Sequence, residues 1–290
     1  MDSQPQRPRQ WKLDRRTFAL GERTLVMGIL NVTPDSFSDS GQFYELDRAL
    51  ARAEELVVEG ADIIDIGGES TRPGGAPVSA EEEMRRVVPL IEQLKARIPS
   101  VIVSVDTTKS EVARAALEAG AEIVNDISAL RFDFHLADEA ARHGAGLVLM
   151  HSRGTLATMH RLPPVADIMS EVTSSLRRSV TMAERRGVAR ESIALDPGIG
   201  FGKSFEQNIE LLAKLDQLVE AFPDFPVLVG TSRKSFIGRL LDDAPVEQRL
   251  HGTMATVTAA ILRGADIVRV HNVRAAIETA RVADALRQVI

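Results

Sequence analysis

The stretch VIVSVDTTKSEVARAALEAGAEIV, residues 101–124, holds a complete strand–helix–strand unit. Val101–Val105 is an almost unbroken apolar run rich in β-branched side chains, as expected of a parallel strand covered on both faces. Thr108 and Glu111 stand at the spacing of a capping box, so a helix is expected to start soon after the strand. Ala121–Val124 is the next apolar run.

The unit recurs in both directions. Further runs lie at Thr24–Leu30, Ala61–Ile66, Gly146–Met150, Ser192–Leu195, Pro226–Val229 and Ala265–Val270, which makes eight strands. Between them Leu46, Leu50, Ala53 and Val57 fall at helical spacing. So do Met84, Val87, Val88, Ile91 and Leu94, and later Val273, Ile277 and Ala280. Ser79 with Glu82 and Ser204 with Gln207 read as further capping boxes. Eight such units predict an α/β protein, a single-domain (β/α)8 TIM-type barrel over residues 17–290. A doubly wound open sheet is the alternative. It would want a glycine fingerprint after its first strand, where the chain reads Asn31-Val32-Thr33-Pro34-Asp35-Ser36. Residues 1–16 are polar, contain Pro and Arg, and lack the apolar segment of a secretory signal, so a flexible tail is expected there.

Composition narrows the function. The formal charge of −6 has the wrong sign for a general nucleic-acid coat, and no apolar run reaches the length of a membrane span. Cysteine is absent, which excludes disulfides, zinc–thiolate sites and a cysteine nucleophile. That absence fits a reducing compartment, and a cytoplasmic location is expected.

Three long connections, Asn31–Tyr44, Gly67–Val78 and His151–Pro164, each follow a strand. They therefore gather at the C-terminal end of a barrel, where such folds carry their sites. Polar residues stand at the same ends: Asn31; Asp65, Glu69, Ser70, Thr71 and Arg72; Asp106; Asn125 and Asp126; His151; Asp196; Thr231, Ser232, Arg233 and Lys234; Arg269 and His271. Any one of them alone is more often a cap or a satisfied hydrogen bond, but convergence on one rim weakens that reading. Asp106, Asn125 and Asp196 suit a flat heterocycle with an amino-amidine edge, because carboxylate oxygens accept parallel N–H bonds. Arg72, Lys234, Arg269 and His271 suit an anionic group such as a phosphate. Asn31 has an amide oxygen of the kind that holds hydrated Mg²⁺.

Some features mislead. Gly198-Ile199-Gly200-Phe201-Gly202-Lys203-Ser204 is one residue short of a P-loop, since Pro197 occupies the place of its first glycine. There is no HExxH pair and no GxSxG elbow.

Five segments together carry a resemblance. They are Leu30–Asp39 (LNVTPDSFSD), Gly67–Gly74 (GGESTRPG), Asp196–Lys203 (DPGIGFGK), Gly230–Ser235 (GTSRKS) and Arg269-Val270-His271. In content and order they resemble the dihydropteroate synthases. Ser152 departs from that family, which often carries a second Met there. The resemblance implies a transferase that joins 6-hydroxymethyl-7,8-dihydropterin pyrophosphate to 4-aminobenzoate in folate biosynthesis, releasing pyrophosphate. It implies that Asp106, Asn125, Asp196 and Lys234 hold the pterin, with Arg269 against its face. Thr71, Arg72, Arg269 and His271 would meet the pyrophosphate, and Asn31 would bind the cofactor Mg²⁺. Thr71, Arg72, Pro73, Phe201, Ser232 and Lys234 would shape the aminobenzoate site, which sulfonamides mimic. Arg72, Lys234, Arg269 and His271 would be catalytic. The family also implies a homodimer with small-molecule substrates only. A methyltetrahydrofolate methyltransferase and a silent pterin-binding paralogue stand as alternatives. The first has no need of the Ser-Thr-Arg-Pro loop or the Arg-Val-His end.

Overall fold

The computed structural model describes residues 10–32, 42–70, 77–155 and 157–289, and for 42–45 and 160 the backbone alone. Two short strands, β1 (Gln10–Lys12) and β2 (Thr17–Ala19), pair antiparallel. Eight parallel strands follow: β3 (Leu25–Asn31), β4 (Ile63–Gly67), β5 (Ile102–Asp106), β6 (Ile123–Asp126), β7 (Gly146–Met150), β8 (Ile193–Asp196), β9 (Leu228–Val229) and β10 (Ile267–Val270). Each pairs with its chain neighbour from β3 to β8, and β10 lies between β9 and β3. A parallel bridge from Leu195 to Val227 joins β8 to β9 and closes the cylinder. The barrel expected from the sequence is therefore present, and an open sheet is excluded.

Helices α1 (Gln42–Val58), α2 (Ala80–Arg97), α3 (Ser110–Glu118), α4 (Leu136–Arg142), α5 (Ile168–Arg185), α6 (Phe205–Ala213), α7 (Leu215–Ala221), α8 (Ser235–Leu240), α9 (Leu250–Leu262) and α10 (Val273–Arg287) connect the strands. Of the three capping boxes read in the sequence, that of Ser204 and Gln207 forms in full. Ser79 accepts from the Glu82 amide, while the Glu82 carboxylate goes to Arg85 and Arg86 instead. The box at Thr108 does not form. Lys109 occupies the cap position without a side-chain cap bond, and Asp133 takes the Ser110 amide.

Strand parity sorts the core into two shells. Val26, Ile64, Val103, Val124, Leu147, Leu195 and Val268 face the helices in the larger apolar cluster. Met27, Ile63, Ile102, Ile123, Val148, Ala194, Leu228 and Ile267, one from each barrel strand, fill the interior. Side chains alternate along a strand, so the next inward ring consists of Ile29, Asp65, Ser104, Asn125, Met150, Asp196, Gly230 and Arg269. The barrel interior is thus apolar below and polar above.

The expected flexible tail is corrected for residues 10–16. The β1–β2 hairpin plugs the N-terminal end of the barrel. Trp11 is fully buried among the interior residues, stacks on Phe18 at 5.7 Å and donates its indole N–H to the Ser192 carbonyl at 2.9 Å. Isolated apolar residues in a polar segment do not announce such a plug, because their partners lie far away in sequence. Trp11→Ala is expected to destabilise the fold by about 3–5 kcal/mol, the usual cost of deleting a buried aromatic. A denaturant melt matching that of the parent chain would contradict the plug.

Candidate active site

The polar ring and the residues one turn above it meet at the C-terminal mouth. Arg269, from β10, sits between two carboxylates. Its Nε donates to Asp65 Oδ2 and its Nη2 to Asp106 Oδ2, both at 2.6 Å. Asp65 Oδ2 also accepts from Asn125 Nδ2 at 3.0 Å. Burial alone would lower the Arg269 pKa, but Asp65 and Asp106 more than offset that and raise it above its ordinary value, so the guanidinium stays charged. Burial pushes the Asp106 carboxyl up to about 7, with Arg269 opposing the shift.

Asp196 ends β8 on the same inward face. Its Oδ1 accepts from the Gly198 amide at 2.6 Å, and burial pushes its pKa up to about 6. Lys234 is brought down to about 7 by burial, against the pull of Asp196. Its ammonium lies 3.9 Å from the centroid of the Phe201 ring. Phe201 belongs to a small apolar cluster with Ile127, Met150 and Met159, which forms one wall of the mouth. The Ser232 hydroxyl lies 3.0 Å from His271 Nδ1 and accepts the His271 amide at 3.2 Å. Asn31, the last residue of β3, has its Oδ1 beside Gly67, where Asp106 Oδ2 also lies.

Of the residues read as site candidates, Asn31, Asp106, Asn125, Asp196, Phe201, Ser232, Lys234, Arg269 and His271 therefore share this end of the barrel. Thr71, Arg72 and Pro73 lie outside the described residues. Before them in the chain, the Glu69 carboxylate accepts from the Val78 amide at 2.9 Å and from Lys109 at 2.7 Å. Lys109 also pairs with the buried Glu83.

Several strand-end residues face elsewhere. Asp126 has the opposite parity, and its carboxylate accepts from the Ser128 and Leu130 amides. His151 is buried with its Nε2 3.9 Å from Glu171 of α5, and burial takes its pKa down to about 2, so it is neutral. Arg233 donates to Asn272. For these three the turn or packing role is the one observed.

The glycine-rich segment after β8 is not a phosphate cradle. Lys203 buries its ammonium among the carbonyls of His151, Gly198 and Phe201, at 3.0, 2.7 and 3.1 Å. This knots the loop to the end of β7 and presents Phe201 to the mouth. A Cβ on Gly198, whose φ is +67°, would lie 1.9 Å from the His151 carbonyl oxygen. Gly198→Ala is therefore expected to cost at least about 2 kcal/mol, from strain and displacement of the loop. An unchanged thermal melt would contradict that contact.

The sequence profile of the pterin binding enzymes matches residues 27–271. A dihydropteroate synthase of Synechocystis is 50% identical over 269 residues, covering 93% of this chain and 92% of that protein. The chain belongs to the dihydropteroate synthases. It is accordingly an enzyme of the transferase class. Among solved members, that of Clostridium difficile, in the presence of pteroic acid, is 46% identical with a TM-score of 0.87, covering 93% of this chain and 98% of that one. The Xanthomonas albilineans enzyme with 4-aminobenzoic acid is 42% identical with a TM-score of 0.88, covering 99% and 100%.

Two residues of this synthase were only partly legible in the sequence. Asp65 stood among the strand-end polar residues, as one of two acids in the apolar run ADIIDI, but its inward parity was not legible. Lys203 was masked by its likeness to a P-loop lysine.

Proposed function

We propose that the chain condenses 6-hydroxymethyl-7,8-dihydropterin pyrophosphate with 4-aminobenzoate to give 7,8-dihydropteroate and pyrophosphate. The observation that carries this is the set of acceptors at the mouth. Asn125 spends its donor end on Asp65, and Asp196 spends one oxygen on Gly198. What remains for a ligand is the Asn125 amide oxygen, the second oxygen of Asp196 and the second oxygen of Asp106. Three acceptors gathered at one mouth match the N–H-rich amino-amidine edge of a pterin.

The cations then fall on the side of the leaving group. Arg269 and His271, with Arg72, receive pyrophosphate as the methylene C–O bond breaks and its electron pair passes to the departing oxygen. Ser232 holds the His271 ring at Nδ1 and so fixes its orientation at the mouth. The arylamine nitrogen is already nucleophilic and attacks the methylene carbon, so no general base is needed and positioning carries much of the rate. Thr71, Arg72, Pro73, Phe201, Ser232 and Lys234 shape the aminobenzoate side. The Asn31 amide oxygen is a hard, neutral donor beside Asp106, which fits a Mg²⁺ ion that keeps most of its waters; bound there, the ion would neutralise charge on the leaving group.

The same reading includes a cytoplasmic homodimer. Among the described residues no helix is long and apolar enough to cross a membrane. The test is pyrophosphate release from the pterin substrate by the pure, folded protein. Release that requires both 4-aminobenzoate and Mg²⁺ supports the proposal, and its absence rejects it.

A further inference from the structure

Packing does not account for Asp65. It lies in β4 beside Ile63, Ile64 and Ile66, is fully buried and faces the barrel interior. Its Oδ2 accepts two hydrogen bonds, while its buried Oδ1 makes none. A buried carboxylate with one oxygen unpaired costs stability, and another isoleucine would serve the strand better.

We propose that Asp65 is a positioning residue that sets how Asn125 and Arg269 face the substrate. The inference rests on the function proposed above. An asparagine side chain has a donor end and an acceptor end. The Asp65 oxygen accepts from the Nδ2 end of Asn125, which turns the Asn125 Oδ1 away from Asp65. Reversed, Asn125 would set its NH₂ against the N–H edge of a pterin and repel it. The same Asp65 oxygen takes Nε of Arg269 while Asp106 takes Nη2. These two bonds fix the plane of the guanidinium, and its Nη1 corner takes part in neither. Asp65 thus chooses the polarity of one group and the aim of another without touching the ligand.

The test is equilibrium binding of 6-hydroxymethylpterin to the whole protein and to Asp65→Ala, Asn125→Ala and the double variant. Each single change is expected to weaken binding by about 10- to 100-fold, the cost of leaving a buried donor or acceptor wrongly paired. Because Asp65 works through Asn125, the loss in the double variant falls short of the product of the single losses by at least about tenfold. Losses that simply multiply would mean that Asp65 does not act through Asn125, and would overturn the proposal. If the parent chain fails to bind the probe, the functional reading falls instead. Should Asp65→Ala not fold, Asp65→Asn, which preserves volume and removes the charge, enters the same cycle with the same two outcomes.

Discussion

Arg269→Ala is expected to lower turnover by about 100-fold or more, the usual loss when a group aimed at developing charge is removed. The reason lies in its two roles. In the proposed reaction the guanidinium meets the departing pyrophosphate. In the free protein it neutralises Asp65 and Asp106, each 2.6 Å away. Deleting one partner of such a buried set leaves charges uncompensated, so stability should also fall, by about 3–5 kcal/mol. Turnover and melting are therefore measured together. Arg269→Lys restores the charge without the fork that reaches both carboxylates, so it should recover stability in part and turnover little. Parent-like rates in the alanine variant would remove Arg269 from the site.

Asp196→Ala is expected to weaken pterin binding by about 10- to 100-fold, since a hydrogen bond to a charged group is worth about 1.5–3 kcal/mol. Calorimetric titration with a pterin reads the change directly, and an unaltered affinity would contradict the pocket. A pH dependence accompanies it. Burial pushes the Asp196 carboxyl from 3.8 to about 6, so below about 6 the free protein holds it protonated. The protonated form has lost an acceptor. Pterin affinity in the parent chain should fall as pH drops through 6, by about tenfold per unit below it. Folding stability has the opposite sign. The folded state binds this proton more tightly than the unfolded chain, so the contribution of Asp196 is fully present below pH 3.8 and is lost as pH rises through 6. An affinity that is flat with pH would show that ionisation of Asp196 does not matter to binding.

Much of the fold was legible in the sequence because a parallel barrel writes itself as a repeat. Each strand is buried on both faces, so each appears as a short apolar run, and each returning helix appears as an amphipathic segment. All eight strands read from those runs are present, although four extend one residue further and β6 extends two. Those extra residues, Asn31, Gly67, Asp106, Asn125, Asp126 and Asp196, include the ones with chemical interest. Capping was less legible. Thr108 has the right spacing to Glu111, yet Asp133 from the next connection reaches the Ser110 amide first.

Which polar residues serve the site was harder to read. Asn125 and Asp126 are adjacent and equally polar, yet one enters the mouth and the other holds a turn, because neighbouring side chains on a strand point to opposite faces. His151 and Arg233 stand at the rim by position and turn away from it for similar reasons.

Local pattern thus determined the kind of architecture, the end of it that carries chemistry, and the family. It could do so because periodicity, strand-end polarity and motif order are properties of neighbours along the chain. Closure of the cylinder decided the rest: it set one inward ring, placed Asp65 against Arg269 across 204 residues, and drew Trp11 under the barrel floor. Those contacts exist only once strands remote in sequence share a wall, and only then do parity and distance assign each buried charge its partner.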